Sequence, residues 1–158
     1  MTATITPTGD IVTPVTPGEQ SILTSVLVKR DDRPVTAVIV RPSENGADQV
    51  VELHHGVVDL AWIQATVGGY MEIFYAWGGA TFIVNEEGKL SNPPLPKNEW
   101  GSRVLFLSGG HARDWMAGPC IIVGEPDSRG EETPPPREWV AAAIAGDVPP
   151  KPTDEGTY

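Results

Sequence analysis

At 158 residues the chain suits one domain, and a formal charge of -10 with only 11 basic residues argues against a nucleic-acid surface, where Lys and Arg must neutralise phosphates. Its 17 glycines and 16 prolines predict frequent turns and short elements. The lone Cys120 rules out an intrachain disulfide, the N-terminus lacks the basic and apolar regions of a secretion signal, and no apolar run suits a membrane span, so a soluble cytoplasmic protein is expected.

Thr2 to Val15 alternates Thr with apolar residues around Pro7-Thr8-Gly9-Asp10, which fits an N-terminal hairpin over residues 1–16 or a mobile arm. Thr16-Pro17-Gly18-Glu19 reads as a capping box, with Pro at the first helical position. A short helix to about Leu27 follows from it, although Ser25 to Lys29 reads equally as strand. The core domain is expected over residues 17–124.

Val35–Val40 and Val50–Leu53 are rich in β-branched residues and predict a hairpin, with a turn at Ser43-Glu44-Asn45-Gly46. Val57 to Val67 predicts a helix whose stripe is Val57, Leu60, Ala61 and Val67, widened by Val58, Trp62 and Ala65. Gly68-Gly69 stops it. Tyr70–Ala76 and Ala80–Val84 predict a second hairpin across Trp77-Gly78-Gly79. Asn85-Glu86-Glu87-Gly88 is a turn, Asn98 caps a helix to about Leu107, and Cys120–Val123 is a buried strand.

From Glu125 the composition shifts to seven prolines and eight acids against three bases. Residues 125–158 read as a separate acidic segment, ordered on contact or mobile, with one short helix over Pro136–Ala145 ended by Gly146. On that reading its removal leaves the domain folded and weakens assembly or partner binding. Neighbouring pairs of short strands predict an α+β fold, a mostly antiparallel sheet with two to four short helices.

The pattern V-G-G-Y-M-E-I at Val67–Ile73 and F-I-V-N-E-E-G-K-L at Phe82–Leu90, with Pro93-Pro94, Asn98 and a closing Ile122-Val123-Gly124, resembles domain-of-unknown-function family 3846 of tailed phages and bacteria. The resemblance spans about Val35 to Gly124. It departs in a longer proline stretch and in Glu99-Trp100-Gly101-Ser102, where the family more often has a small-residue helix start. The family has no assigned activity. The resemblance implies a phage or prophage accessory protein acting in a bacterial cytoplasm.

Candidate chemistry is sparse. His54-His55, His111 and Cys120 lack metal-ligand spacing, and adjacent residues of a strand point to opposite faces, so no metal and no cofactor is expected. Glu86-Glu87 with Glu72, Glu99 or Asp114 offers a carboxylate pair, but adjacent acids in a turn are ordinarily solvated. Ser108-Gly109-Gly110-His111 lacks the spacing of a nucleophile elbow or a phosphate loop, so no catalytic residue is assigned.

The aromatics are the stronger lead. Trp77, Trp100, Trp115 and Tyr70 sit in or beside loops, with Arg103, His111 and Arg113 near them, and packing competes with ligand or partner anchoring for each. With Asn85, Glu86, Glu87 and Asn98 they form the candidate binding set. The favoured expectation is a non-enzymatic protein that binds and inhibits a host protein through an acidic, aromatic-bearing face. The alternative is an oligomeric sponge that sequesters a small nucleotide signal. A small hydrolase comes third. A homodimer is expected, built on a sheet edge or on the Trp139 helix.

Overall fold

Strand formation follows the β-branched runs. In a computed structural model describing residues 11–12, 33–43, 49–110 and 114–152, the strands are β1 (Ile11–Val12), β2 (Ala37–Pro42), β3 (Gln49–His54), β4 (Met71–Tyr75), β5 (Thr81–Asn85) and β6 (Cys120–Val123). They form one sheet in the order β1-β3-β2-β6-β5-β4, and every neighbouring pair is antiparallel. The helices among the described residues are α1 (Leu60–Val67), α2 (Glu99–Leu107) and α3 (Arg137–Ala145). The expected α+β class is observed. The helix-or-strand segment at 16–29 and most of the N-terminal hairpin or arm fall outside the described residues.

The two local hairpins, β2-β3 and β4-β5, are joined by β6, which arrives late in the chain and pairs with both β2 and β5. The central strands therefore have no solvent face. Val38, Val40, Phe82, Val84, Cys120 and Ile122 point to one side of the sheet. Ala37, Ile39, Ile83, Ile121 and Val123 point to the other. Burial on both faces explains why these strands read as continuous apolar runs rather than alternating ones.

Helices α2 and α3 cover the first face through Trp100, Val104, Trp139 and Ala143. Asn98 caps α2 by accepting the Gly101 N–H at 2.8 Å, as the sequence predicts. Gly146, in the left-handed region at φ 74°, ends α3 where expected. The described part of the acidic C-terminal segment packs into this layer through α3: Trp139 is fully buried and meets Phe82 edge-on, with ring centroids 5.3 Å apart. That position also removes the Trp139 side chain from any surface on which a dimer could form.

On the second face, among the described residues, α1 is the helix that packs over β4, β5 and β6. It starts later than expected, because Asp59 is the N-cap and accepts the Trp62 N–H at 2.8 Å. Its buried residues are Ile63 and Val67. Leu60, Ala61 and Ala65, expected in the buried stripe, are exposed. The helix has no charged residue, so its apolar pattern is compatible with more than one buried face. Among the described residues no helix is long and apolar enough to cross a membrane.

Candidate functional site

The β4-β5 register sets Glu72 opposite Val84 and Phe74 opposite Phe82, on the face covered by α2. The chain leaves β5 through Asn85, whose Oδ1 accepts the Glu87 N–H at 2.7 Å and whose Nδ2 donates to the Val67 carbonyl at 3.0 Å. This turn brings Glu86 beside Glu72. Gly88 serves it by its size: a side chain there would press on the Ala117 carbonyl oxygen at 3.1 Å. The segment 114–117 returns beneath it, tied by the Lys97–Ala117 bridge and by the Met116 N–H to Ser102 Oγ at 2.9 Å.

These elements enclose a pocket of about 80 Å³. Glu72, Glu86 and Asp114 are its acidic members, and Phe74, Leu105 and Met116 belong to its apolar lining. Trp115 forms a half-buried aromatic wall. Lys89 reaches in from the turn, pairs with Asp114, and sits 5.9 Å from the centroid of the Trp115 ring. The pocket is thus suited to a side chain with an apolar stem and a cationic head, and Lys89 already displays both contacts. Its volume is far below the roughly 300 Å³ at which small-molecule sites begin.

Of the expected site residues, Asn85, Glu86 and Trp115 meet at this pocket. Tyr70 is exposed nearby in the chain, and its carbonyl accepts the Glu86 N–H at 2.9 Å. Glu87 is an exposed turn residue. His111 and Arg113 lie outside the described residues. Lys89 and the apolar floor were not singled out in the sequence; the hairpin register, which sets Glu72 and Phe74 on one face, was the available signal.

The other candidates have work in the fold. Asn98 is 1% exposed; its Nδ2 donates to the Val40 carbonyl at 3.0 Å and the Gly118 carbonyl at 3.1 Å. Trp100 is buried, and its indole N–H donates to the Asp147 carbonyl at 2.8 Å. The half-buried Trp77 donates to the Pro149 carbonyl at 3.1 Å. Arg103 Nη2 donates to the Gly146 carbonyl at 2.6 Å. Ser108 ends α2, and the Gly110 N–H bonds the Leu105 carbonyl at 3.0 Å. Residues 108–110 are thus a helix terminus.

A model of a domain of unknown function, DUF3846, matches residues 35–144. The chain belongs to the DUF3846 family. The match runs past Gly124, where the sequence resemblance ends, and takes in nearly all of α3. Searches of curated proteins and of solved structures found no match. In this DUF3846 chain the two described histidines are held within the fold: the His54 ring stacks on Trp62 at 4.0 Å, and His55 Nδ1 lies 3.0 Å from the Arg33 carbonyl oxygen. Among the described residues no group of three or more His, Cys, Asp or Glu is arranged to hold a metal ion. Cys120 is buried beneath Asn98, and burial pushes its thiol up from 9.0 to about 12.

Proposed function

We propose that this protein is a non-enzymatic binding protein that captures a basic segment of a host protein in a bacterial cytoplasm. The observation that carries the reading is the pocket beside the Asn85–Lys89 turn. It sets Glu72 and Glu86, beside an Asp114 that Lys89 already pairs, over an apolar floor with an indole wall, which is recognition chemistry for a Lys or Arg side chain. The formal charge of -10 adds long-range attraction for a basic partner.

Sequestration of a nucleotide draws less support. Trp77, Trp100 and Arg103, the residues that would stack on a base or grip a phosphate, donate instead to carbonyls of residues 146–149. A wider depression of about 660 Å³ lies between Thr36, His55–Val58 and the pair Glu131 and Glu132, and those acids disfavour a phosphate.

The test is titration of Lys- and Arg-containing peptides against the intact protein, followed by indole fluorescence and calorimetry. A basic peptide should bind in a salt-sensitive manner, and the exposed-site variant Glu86→Lys should weaken it by about tenfold or more. Equal affinity for acidic and basic peptides, or full affinity in Glu86→Lys, would refute the reading. Release of a nucleotide-sized molecule from the purified protein in native mass spectrometry would favour the sequestration reading.

A further inference from the structure

Strand β4 ends the sheet, and among the described residues its only strand neighbour is β5. The Ala76 N–H bonds the Ala80 carbonyl at 3.0 Å, and the Glu86 N–H bonds the Tyr70 carbonyl at 2.9 Å. In the observed register this commits the even-numbered residues of β4 to β5. Met71, Ile73 and Tyr75 therefore aim their N–H and C=O groups away from the sheet. They also share the α1 side of the sheet, where Ile73 is 42% and Tyr75 65% exposed.

Exposed edges are ordinarily protected by Lys, Pro or a bulge. Here β4 carries one charge, Glu72, which belongs to the pocket on the opposite face. The adjacent helix α1 has no charge at all, and it leaves Leu60 55% exposed together with Ala61 and Ala65. Among the described residues, the surface formed by β4 and α1 is charge-poor and apolar, the composition of an interface core.

We propose that β4 is the dimerisation edge and that its occupant is β4 of a second copy, paired antiparallel about Ile73. The strand is self-complementary in that register. Ile73 meets its own copy, and Met71 meets Tyr75, so every outward backbone group of the three residues is paired. Glu72 falls opposite Phe74 and never directly opposite the other Glu72. The two sheets become one continuous sheet, with both α1 helices on the same face of it, related by the two-fold axis. Glu72 and Phe74 also line the acidic pocket, so the two pockets abut across the seam and offer a partner two adjacent sockets.

Sedimentation velocity over a wide concentration range tests the proposal, with wild type expected at twice the 16.9 kDa chain mass. Ile73→Lys sets like charges face to face and should weaken the dimer by at least about tenfold while circular dichroism stays unchanged. Ile73→Cys should cross-link to itself through a short bis-maleimide. Met71→Cys and Tyr75→Cys should cross-link only when mixed. Cys120 is buried and does not interfere. A wild-type monomer at all concentrations overturns the proposal, as does a dimer that Ile73→Lys leaves intact. Cross-linking that ignores this register also overturns it, and so does a monomer that takes up a foreign extended peptide on β4. Should Ile73→Lys fail to fold, the cysteine register alone decides.

Discussion

The indole N–H of Trp139 donates to the backbone carbonyl of Trp77 at 2.8 Å, and the two rings lie 5.0 Å apart between centroids. Trp77 in turn donates its own indole N–H to Pro149, beyond the helix that carries Trp139. The loop between β4 and β5 is thereby fastened to both ends of the C-terminal layer. Trp139 also packs against Phe82 and Trp100, so one side chain links sheet, α2 and α3. Trp139→Ala should cost about 3–5 kcal/mol of stability in urea unfolding, as for other large-to-small aromatic changes in cores. Trp139→Phe keeps most of the packing and should cost less, since it removes chiefly one hydrogen bond.

Removal of residues 125–158 should therefore unfold the domain, against the expectation from composition. It takes away Trp139, Ala142 and Ala143, which are buried in the main core. It also strips acceptors from Trp77, Trp100 and Arg103 and leaves the buried Trp100 N–H without its partner. Loss of the near-ultraviolet circular dichroism signal would mark the failure. A truncated chain with native signal and cooperative melting would refute it.

What was legible in the sequence was local. The Asn98 cap, the Gly146 stop, the Cys120–Val123 strand and both hairpins are written in neighbouring residues, and they stand where expected. What was not legible depends on distant partners. Nothing near Cys120 says that its strand enters between β2 and β5. The roles of Trp100 and Arg103 rest on carbonyls more than 40 residues away in sequence. The buried face of α1 is only partly legible: Val67, Val58 and Trp62 pack inward as expected, but Leu60, Ala61 and Ala65 do not, because a helix without charges gives periodicity no polar side to oppose. The acidic turn was visible as a feature, but its pocket needed Phe74, Leu105 and Met116 from three other segments.

Cys120 should report on the core. Its thiol is buried and pushed up to about 12, chiefly by desolvation, which the hydrogen bonds around it only partly offset. A disulfide reagent at neutral pH should react at the rate of unfolding and not at that of a free thiol. In the pH dependence the folded chain holds the proton more tightly than the unfolded one. This contribution to stability is complete below the unfolded value near 9.0 and falls as pH rises from there toward about 12. Denaturant midpoints across that window check the sign, and Cys120→Ala should flatten the dependence.

Asn98 separates a structural from a ligand-binding role. Its carbonyl oxygen accepts from Gly101, and its amide donates to Val40 and Gly118, which locks the start of α2 to β2 and to the approach of β6. Asn98→Ala leaves those groups buried without partners and should cost about 2–4 kcal/mol. Asn98→Asp keeps the cap oxygen but turns the second oxygen on two carbonyls. Only the protonated carboxyl can donate there, so the folded state should raise that group's pKa. The variant should thus be most stable at acidic pH and lose stability as pH rises toward neutrality, while wild type shows no matching loss. If Asn98 instead served a ligand, both variants would melt like wild type and lose binding alone. Thermal melts at two pH values, read beside the peptide titration, decide between the two roles.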